Sequence, residues 1–184
     1  MSEHDHQLHG MHELDAGNTD RNKEHWDKVA KTYNSDNTQK DFGNLINKAT
    51  EFILANINWI GVDFLHPGES FEEIQNISSK RVRILDYACG PGTITNILHD
   101  RATEFIGMDL SPNMVAEYNE RFNDDGGLNT EALVVNLLDP AGTPDGLSDA
   151  RYFDFDLVVV GFGFHHFSNL PLAASRLVER VKAG

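Results

Sequence analysis

Apolar residues along this chain recur in two rhythms, short β-rich runs and longer stripes at three- and four-residue steps. Their alternation predicts the order of the elements. Val82, Ile84 and Leu85 form a run that reads as a buried strand closed by an acid, Asp86. Tyr87-Ala88-Cys89-Gly90-Pro91-Gly92 then breaks the chain as a glycine turn, and the apolar positions of Thr93 to Arg101 suit a helix. Glu104 to Asp109 reads as a second strand, again ending on an acid. Ser111-Pro112 supplies an N-cap and a first-turn proline for a helix carrying Met114, Val115, Tyr118 and Phe122. Ala132 to Leu137 predicts a third strand. Phe155 to Gly161 predicts a fourth, continuously apolar and so expected to be buried on both faces. Ser168 or Asn169 caps a last helix with Leu170, Ala173, Ala174, Leu177, Val178 and Val181 on its apolar side.

Ahead of this unit the pattern is helical. Trp26, Val29, Ala30 and Tyr33 lie on one face of a short helix, and Phe42, Leu45, Ile46, Ala49, Phe52, Ile53, Ile57 and Ile60 form the stripe of a second. The second is expected to pack on the sheet as a core helix ended by Gly61. His66-Pro67-Gly68 marks a loop, and Phe71 to Ser79 has room for one or two further helical turns. Residues 1–22 are polar. They carry His4, His6, His9 and His12 alternating with acids and lack a second cluster, so they read as a solvated, disordered tail with no metal site. The predicted organisation is therefore a tail over 1–22, a helical cap segment over 23–80 and an α/β core over 81–184. That core is a doubly wound, mostly parallel sheet, in which small ligands sit beyond the carboxyl ends of the strands.

Composition narrows the partners. The chain has 184 residues, enough for one domain with a substantial core. Its formal net charge of −14, from 29 acids against 15 Lys and Arg, repels phosphate backbones and anionic lipid, which argues against nucleic acid and membrane. The single cysteine, Cys89, allows no internal disulfide and fits a reducing compartment, the cytoplasm with the nucleus left open.

The turn after the first strand narrows the ligand. In a dinucleotide site the third glycine falls three residues after the second, which here is Thr95. The Asp86 carboxylate would repel phosphate, whereas it suits a ligand bearing an ammonium group. Asp109, 23 positions later, has the spacing of a carboxylate that accepts two hydrogen bonds from ribose hydroxyls. From the residues alone, a turn that binds a nucleotide or no ligand stays open.

Asp86, Ala88, Gly90 and Gly92 resemble the first motif of the class I (Rossmann-like) S-adenosylmethionine-dependent methyltransferases, with alanine where the first glycine is usual. Trp26-Asp27-x-x-Ala30-x-x-Tyr33 resembles the segment that closes over the cofactor in many small-molecule members, which implies Tyr33 near the methionine end. The resemblance implies S-adenosyl-L-methionine as cofactor, Asp109 on its ribose, and Leu110 and Met114 against adenine, Met114 being equally readable as core. At the end of the third strand, where an acid often receives the adenine amino group, stand Asn136 and Leu137. The Asn136 carbonyl is the expected acceptor and Asp139 its substitute. Gly161 opens the run Gly161 to Phe167, where the family places the transferring methyl group. His165 or His166 is a candidate general base there, the alternative being a histidine that only anchors the loop.

The family continues through three more strands, which are not found in this sequence. The fourth strand is then an open edge that invites self-association or a partner chain. The expected activity is methyl transfer to a small molecule, a protein side chain being the nearest variant. The rival is a catalytically silent, methyltransferase-like binding subunit completed by a partner.

Overall fold

A computed structural model describes residues 19–33, 40–66, 80–123, 129–139 and 146–183. The histidines of the tail, the side chain of Phe42 and the segment Phe71 to Ser79 lie outside these residues. Residues 19–29 form a helix, α1, which tightens into a 3-10 turn at Ala30–Thr32. The tail expected over 1–22 is thus already helical at 19–22. The helix Lys40–Ala55, α2, follows, with a 3-10 turn at Ile57–Ile60 ended by Gly61 in the left-handed conformation.

The core begins with the strand Arg83–Tyr87, β1, and the helix Thr93–Leu98, α3, extended by a 3-10 turn at His99–Arg101. Next come the strand Glu104–Asp109, β2, the helix Pro112–Arg121, α4, and the strand Asn129–Val134, β3. The strand Leu157–Val159, β4, and the helix Leu170–Val178, α5, complete it. The four strands are parallel in the order β3-β2-β1-β4. Asp86 lies opposite Gly107 on one side and Val159 on the other, and Asp109 opposite Val134. Every carboxyl end therefore opens at the same edge of the sheet. No helix among the described residues is long and apolar enough to cross a membrane.

Successive strand residues point to opposite faces, so β1 and β2 feed two cores. Ile84 and Phe105 join Ile94, Ile97 and Leu98 of α3 on one face; Leu85 and Ile106 join Leu137, Phe155 and Leu177 on the other. At the amino ends, Arg83 Nη donates to Glu104 Oε1 at 2.9 Å, and Arg81 also pairs with Glu104. Burial alone would raise the Glu104 carboxyl, but the two guanidiniums outweigh it and hold it below its ordinary value.

Three expectations change. β4 is not buried on both faces: Leu157, Val158 and Val159 are all partly exposed, because among the described residues the strand pairs with β1 alone. After α5 the chain re-enters the sheet margin, with a parallel bridge between Phe155 and Val181; Phe155 N–H donates to the Arg180 carbonyl and Lys182 N–H to that of Phe155. Val181 therefore belongs to the sheet margin and not to the helix stripe. Third, among the described residues α2 meets the core through Ile53, with Ile57 and Ile60 of the following turn, while Phe52 is 70% and Trp59 89% exposed.

Gly92 is a tight point of the core. Its φ is +83°, and a Cβ there would lie 2.4 Å from the Phe122 ring. Gly92→Ala is expected to lower stability by roughly 2–4 kcal/mol, from left-handed strain plus overpacking, measured by urea unfolding.

Candidate functional site

The cleft lies where the strands end, as a parallel sheet demands. Its floor is the glycine turn, its near wall the start of α4, its far wall the loop after β4 and its cover α1. Tyr33, Ala88, Gly90, Asp109, Leu110, Met114, Asn136, Gly161 and His166, all expected from the sequence, line it together. Asp86, Gly92, Leu137 and His165 do not line it.

Asp109 organises the near wall. Its Oδ2 accepts from Gly90 N–H and its Oδ1 from Ser111 N–H, both at 2.9 Å. Burial raises its pKa against these donors, and Asp27 adds to the rise. A carboxylate offers about four acceptor positions, and the backbone donors of Gly90, Leu110 and Ser111 do not use them all, which leaves capacity for a hydroxyl of a ligand. Ser111 is the N-cap expected for α4, its Oγ accepting from Met114 N–H at 3.1 Å. Met114 is only 2% exposed, so it is both core and cleft wall.

The turn itself is shaped for a close approach. Gly90 has φ +51°, and the only atom near a Cβ there would be Met114 Sδ at 4.0 Å; the space in front of it is open. Ala88, standing where glycine is usual, also takes a positive φ, +56°. Its methyl group fills the space beside Gly163, where a second Cβ would come within 2.8 Å. Gly161 likewise leaves room for Ile94.

Asp86 was expected to hold an ammonium group, and the geometry instead gives it to the turn. It is 1% exposed, and its Oδ2 accepts from Thr95 N–H at 3.2 Å and Thr95 Oγ–H at 2.9 Å. Its Oδ1 is buried without a hydrogen-bond partner. Asp86 and Asp109 sit on adjacent strands, and the charge of Asp109 raises Asp86. Gly92 serves packing, as described above. Leu137 is fully buried, its carbonyl accepting from Arg176, and Leu138 takes its place in the wall. Asn136 lines the cleft, with its Oδ1 already accepting from Leu138 N–H at 3.0 Å, which leaves its amide free to donate. Asp139 is not among the lining residues, so the acidic substitute for Asn136 is not in place.

On the far wall the two histidines separate. Their rings are 4.0 Å apart, but His166 lines the cleft while His165 is exposed outside it. Partial burial first, then His165 and His25, hold the His166 imidazole below its ordinary pKa of 6.5, so it is neutral at neutral pH. Trp26, on the apolar face expected for the first helix, packs edge-on against His166 with centroids 5.3 Å apart and lines the cleft. Thr19 and Asn22 were missed, having been assigned to the tail; Asn22 Nδ2–H donates to the His166 carbonyl at 3.2 Å. Spacing held a signal for them: Thr19, Asn22 and Trp26 continue the stripe of Trp26 and Tyr33 backwards at helical steps. Tyr87, Phe162, Gly163, Phe167, Ser168 and Asn169 also line the cleft. They come from strand ends and loops, where sequence has no period to read.

Comparison with known proteins agrees with this geometry. Residues 85–184 match the family model described as a methyltransferase domain. An uncharacterized methyltransferase of Schizosaccharomyces pombe is 33% identical over 104 residues, covering 54% of this chain and 34% of its own length. The trans-aconitate 2-methyltransferase of Methylobacterium nodulans is 36% identical over 97 residues, 52% of this chain and 34% of its own. The chain thus spans about one third of the length of the curated relatives it matches. A solved structure of phosphoethanolamine N-methyltransferase 1 from Haemonchus contortus, with phosphoethanolamine and S-adenosylhomocysteine, shares the fold. It superposes with a TM-score of 0.61 at 15% identity, over 91% of this chain and 30% of that one. From the first strand to the last helix, this chain belongs to the class I, S-adenosylmethionine-dependent methyltransferase family.

Proposed function

We propose that the protein transfers the methyl group of S-adenosylmethionine to a small-molecule acceptor. One observation carries the reading: the Asp109 carboxylate, at the tip of β2, faces the same cleft as the open space before Gly90. The residues fit the cofactor. Asp109 has acceptor capacity left for a ribose hydroxyl, Leu110 and Met114 offer apolar surface to a base, and the Asn136 amide can donate to a ring nitrogen. Two buried acids with no Lys or Arg among the described lining residues suit a cationic ligand. The wholly small-molecule names of the acceptors in the trans-aconitate and phosphoethanolamine relatives support that acceptor class, as do the acidic surface and the aromatic cover of α1.

When bound, S-adenosylmethionine supplies a methyl carbon on a positively charged sulfur, which an acceptor lone pair displaces while the sulfur keeps the bonding electrons. The chain's own contribution is to position the two reactants and exclude water. Trp26 and Phe162 wall the cleft with apolar surface, and Tyr33 closes the methionine side. Burial and the charge of Asp109 raise the Tyr33 phenol, which stays protonated and able to donate. His166, neutral and in the cleft wall, accepts the proton that a hydroxyl or ammonium acceptor must lose.

Isothermal titration with S-adenosylhomocysteine tests the cofactor site. Asp109→Ala is expected to weaken binding by about 100-fold through loss of charge-assisted hydrogen bonds. Intact protein that gives no heat refutes the reading. Turnover of a panel of small acceptors separates an enzyme from a silent binding subunit, since only the enzyme releases S-adenosylhomocysteine. In the enzyme, His166→Ala lowers kcat by about 10²-fold with cofactor affinity unchanged. Wild-type kcat falls as pH drops through a midpoint below 6.5, because the protonated imidazole accepts nothing.

Asp86 predicts a separate pH effect on stability. Burial raises its pKa from 3.8 to about 7, outweighing the Thr95 donors. Between those values the folded protein holds a proton that the unfolded chain has released, so stability falls as pH rises through that window. Asp86→Asn removes this decline. The thermal midpoint of the wild type is expected to drop relative to the variant between about pH 4 and about pH 7.

A further inference from the structure

α1 is fastened at both sides of the cleft. At the β4 side, Asn22 and Trp26 hold His166, as described above. At the β2 side the contact comes from Asp27, which the sequence assigns no role. Asp27 Oδ1 accepts from Ser111 Oγ–H at 2.5 Å and from Asn113 N–H at 3.3 Å, and the Asn113 amide donates back to the Asp27 carbonyl at 2.9 Å. Ser111 is fully buried, and its own N–H donates to Asp109 Oδ1. One serine thus connects the carboxylate of the cover helix to the carboxylate of the cleft.

A helix start needs no such arrangement. Ser111 alone caps α4 through Met114 N–H, and Pro112 fills its first turn. The second carboxylate comes from a residue 84 positions earlier and adds negative charge beside Asp109, with Lys23 Nζ at 3.8 Å only partly countering it. That repulsion costs the ligand-free protein and is relieved when a cation occupies the cleft. The contact therefore joins two things that a structural cap would keep apart, the seating of α1 and the environment of Asp109.

We propose that Asp27 is a positioning residue that latches α1 onto the start of α4 and, through Ser111, sets Asp109 for the ribose, so that cofactor capture and seating of the cover are one event. This rests on the cofactor reading above. With Asp27 in place, a ligand held by Asp109 is also held by the cover that Asp27 seats, and the cofactor leaves only when the latch opens. Loss of the latch thus speeds departure more than it slows arrival.

The test titrates S-adenosylhomocysteine into the wild type, Asp27→Asn and Asp27→Ala. Stopped-flow emission of Trp26 is followed in a Trp59→Phe background, which leaves Trp26 as the sole tryptophan. Asp27→Ala is expected to bind about tenfold more weakly, mostly through faster dissociation. Its Trp26 emission shifts to the red without ligand and returns at saturation. Asp27→Asn keeps most of the affinity, because its amide oxygen still accepts from Ser111 and Asn113. With saturating acceptor and varied cofactor, KM for the cofactor rises in Asp27→Ala while kcat holds. Unchanged affinity and dissociation in Asp27→Ala, or a lowered thermal midpoint as the only effect, overturns the latch. Equal losses in Asn and Ala overturn it as well. Wild-type protein that gives no heat overturns the cofactor reading and the latch together, whereas wild-type binding with an unaltered Ala variant overturns the latch alone.

Discussion

The Asp109 carboxylate, held by the backbone N–H groups of Gly90 and Ser111, is the contact on which the rest of the site depends. One oxygen ties β2 to the glycine turn of β1, and the other ties it to the cap of α4. A carboxylate so placed fixes the separation between floor and wall of the cleft before any ligand arrives, and it does so with charge-assisted bonds, which are short and directional. The turn beneath it is correspondingly shaped around backbone. Gly90 leaves space open, Gly92 lets the Phe122 ring lie against the chain, and Ala88 accepts a left-handed conformation. That strained alanine persists because its neighbours over-determine it: its N–H donates to the Met108 carbonyl at 2.8 Å, and its methyl occupies the space that Gly163 leaves.

Charge is sorted along the sheet. At the amino ends of the strands Glu104 is neutralised by Arg81 and Arg83, and Arg83 also donates to the carbonyls of Phe153 and Arg151. At the carboxyl ends Asp86 and Asp109 are buried, and among the described residues no cationic side chain is bonded to either. Burying acids in this way is unfavourable unless donors or a cation compensate. Backbone and hydroxyl donors compensate in part, and what remains is expressed as the raised pKa of each acid. A site with surplus negative charge and no fixed counterion has its ligand's sign written into it.

The helical cap divides into unlike halves. α1 lies over the cleft, joined to both walls by polar contacts from Asn22 and Asp27 and by the Trp26 ring. α2 sits away from the cleft on the α3 side; its Leu45 and Phe52, and Trp59 in the 3-10 turn that follows, stay exposed. Both helices show apolar residues at helical steps, so periodicity identifies them equally well. It carries no information about which surface meets the sheet.

Sequence by itself determined the order of elements, the parallel sheet and the two strand-tip acids. Short apolar runs ending in Asp86 and Asp109 around a glycine turn have few other solutions, and the Ser111 cap follows from side-chain chemistry within four residues. It also identified most of the cleft: the glycine turn, Asp109, Leu110, Met114 and Asn136 are local to strand ends. Only the tertiary structure decided what each polar group is for. Asp86 turned inward because Thr95, nine residues on, offers it two donors; Leu137 yielded to Leu138 in the turn after β3, where no strand period selects the face. His166 was separated from His165 by the pitch of a single 3-10 turn, and Asp27 met Ser111 across 84 residues. Such contacts depend on how distant elements are brought together, which local pattern does not encode.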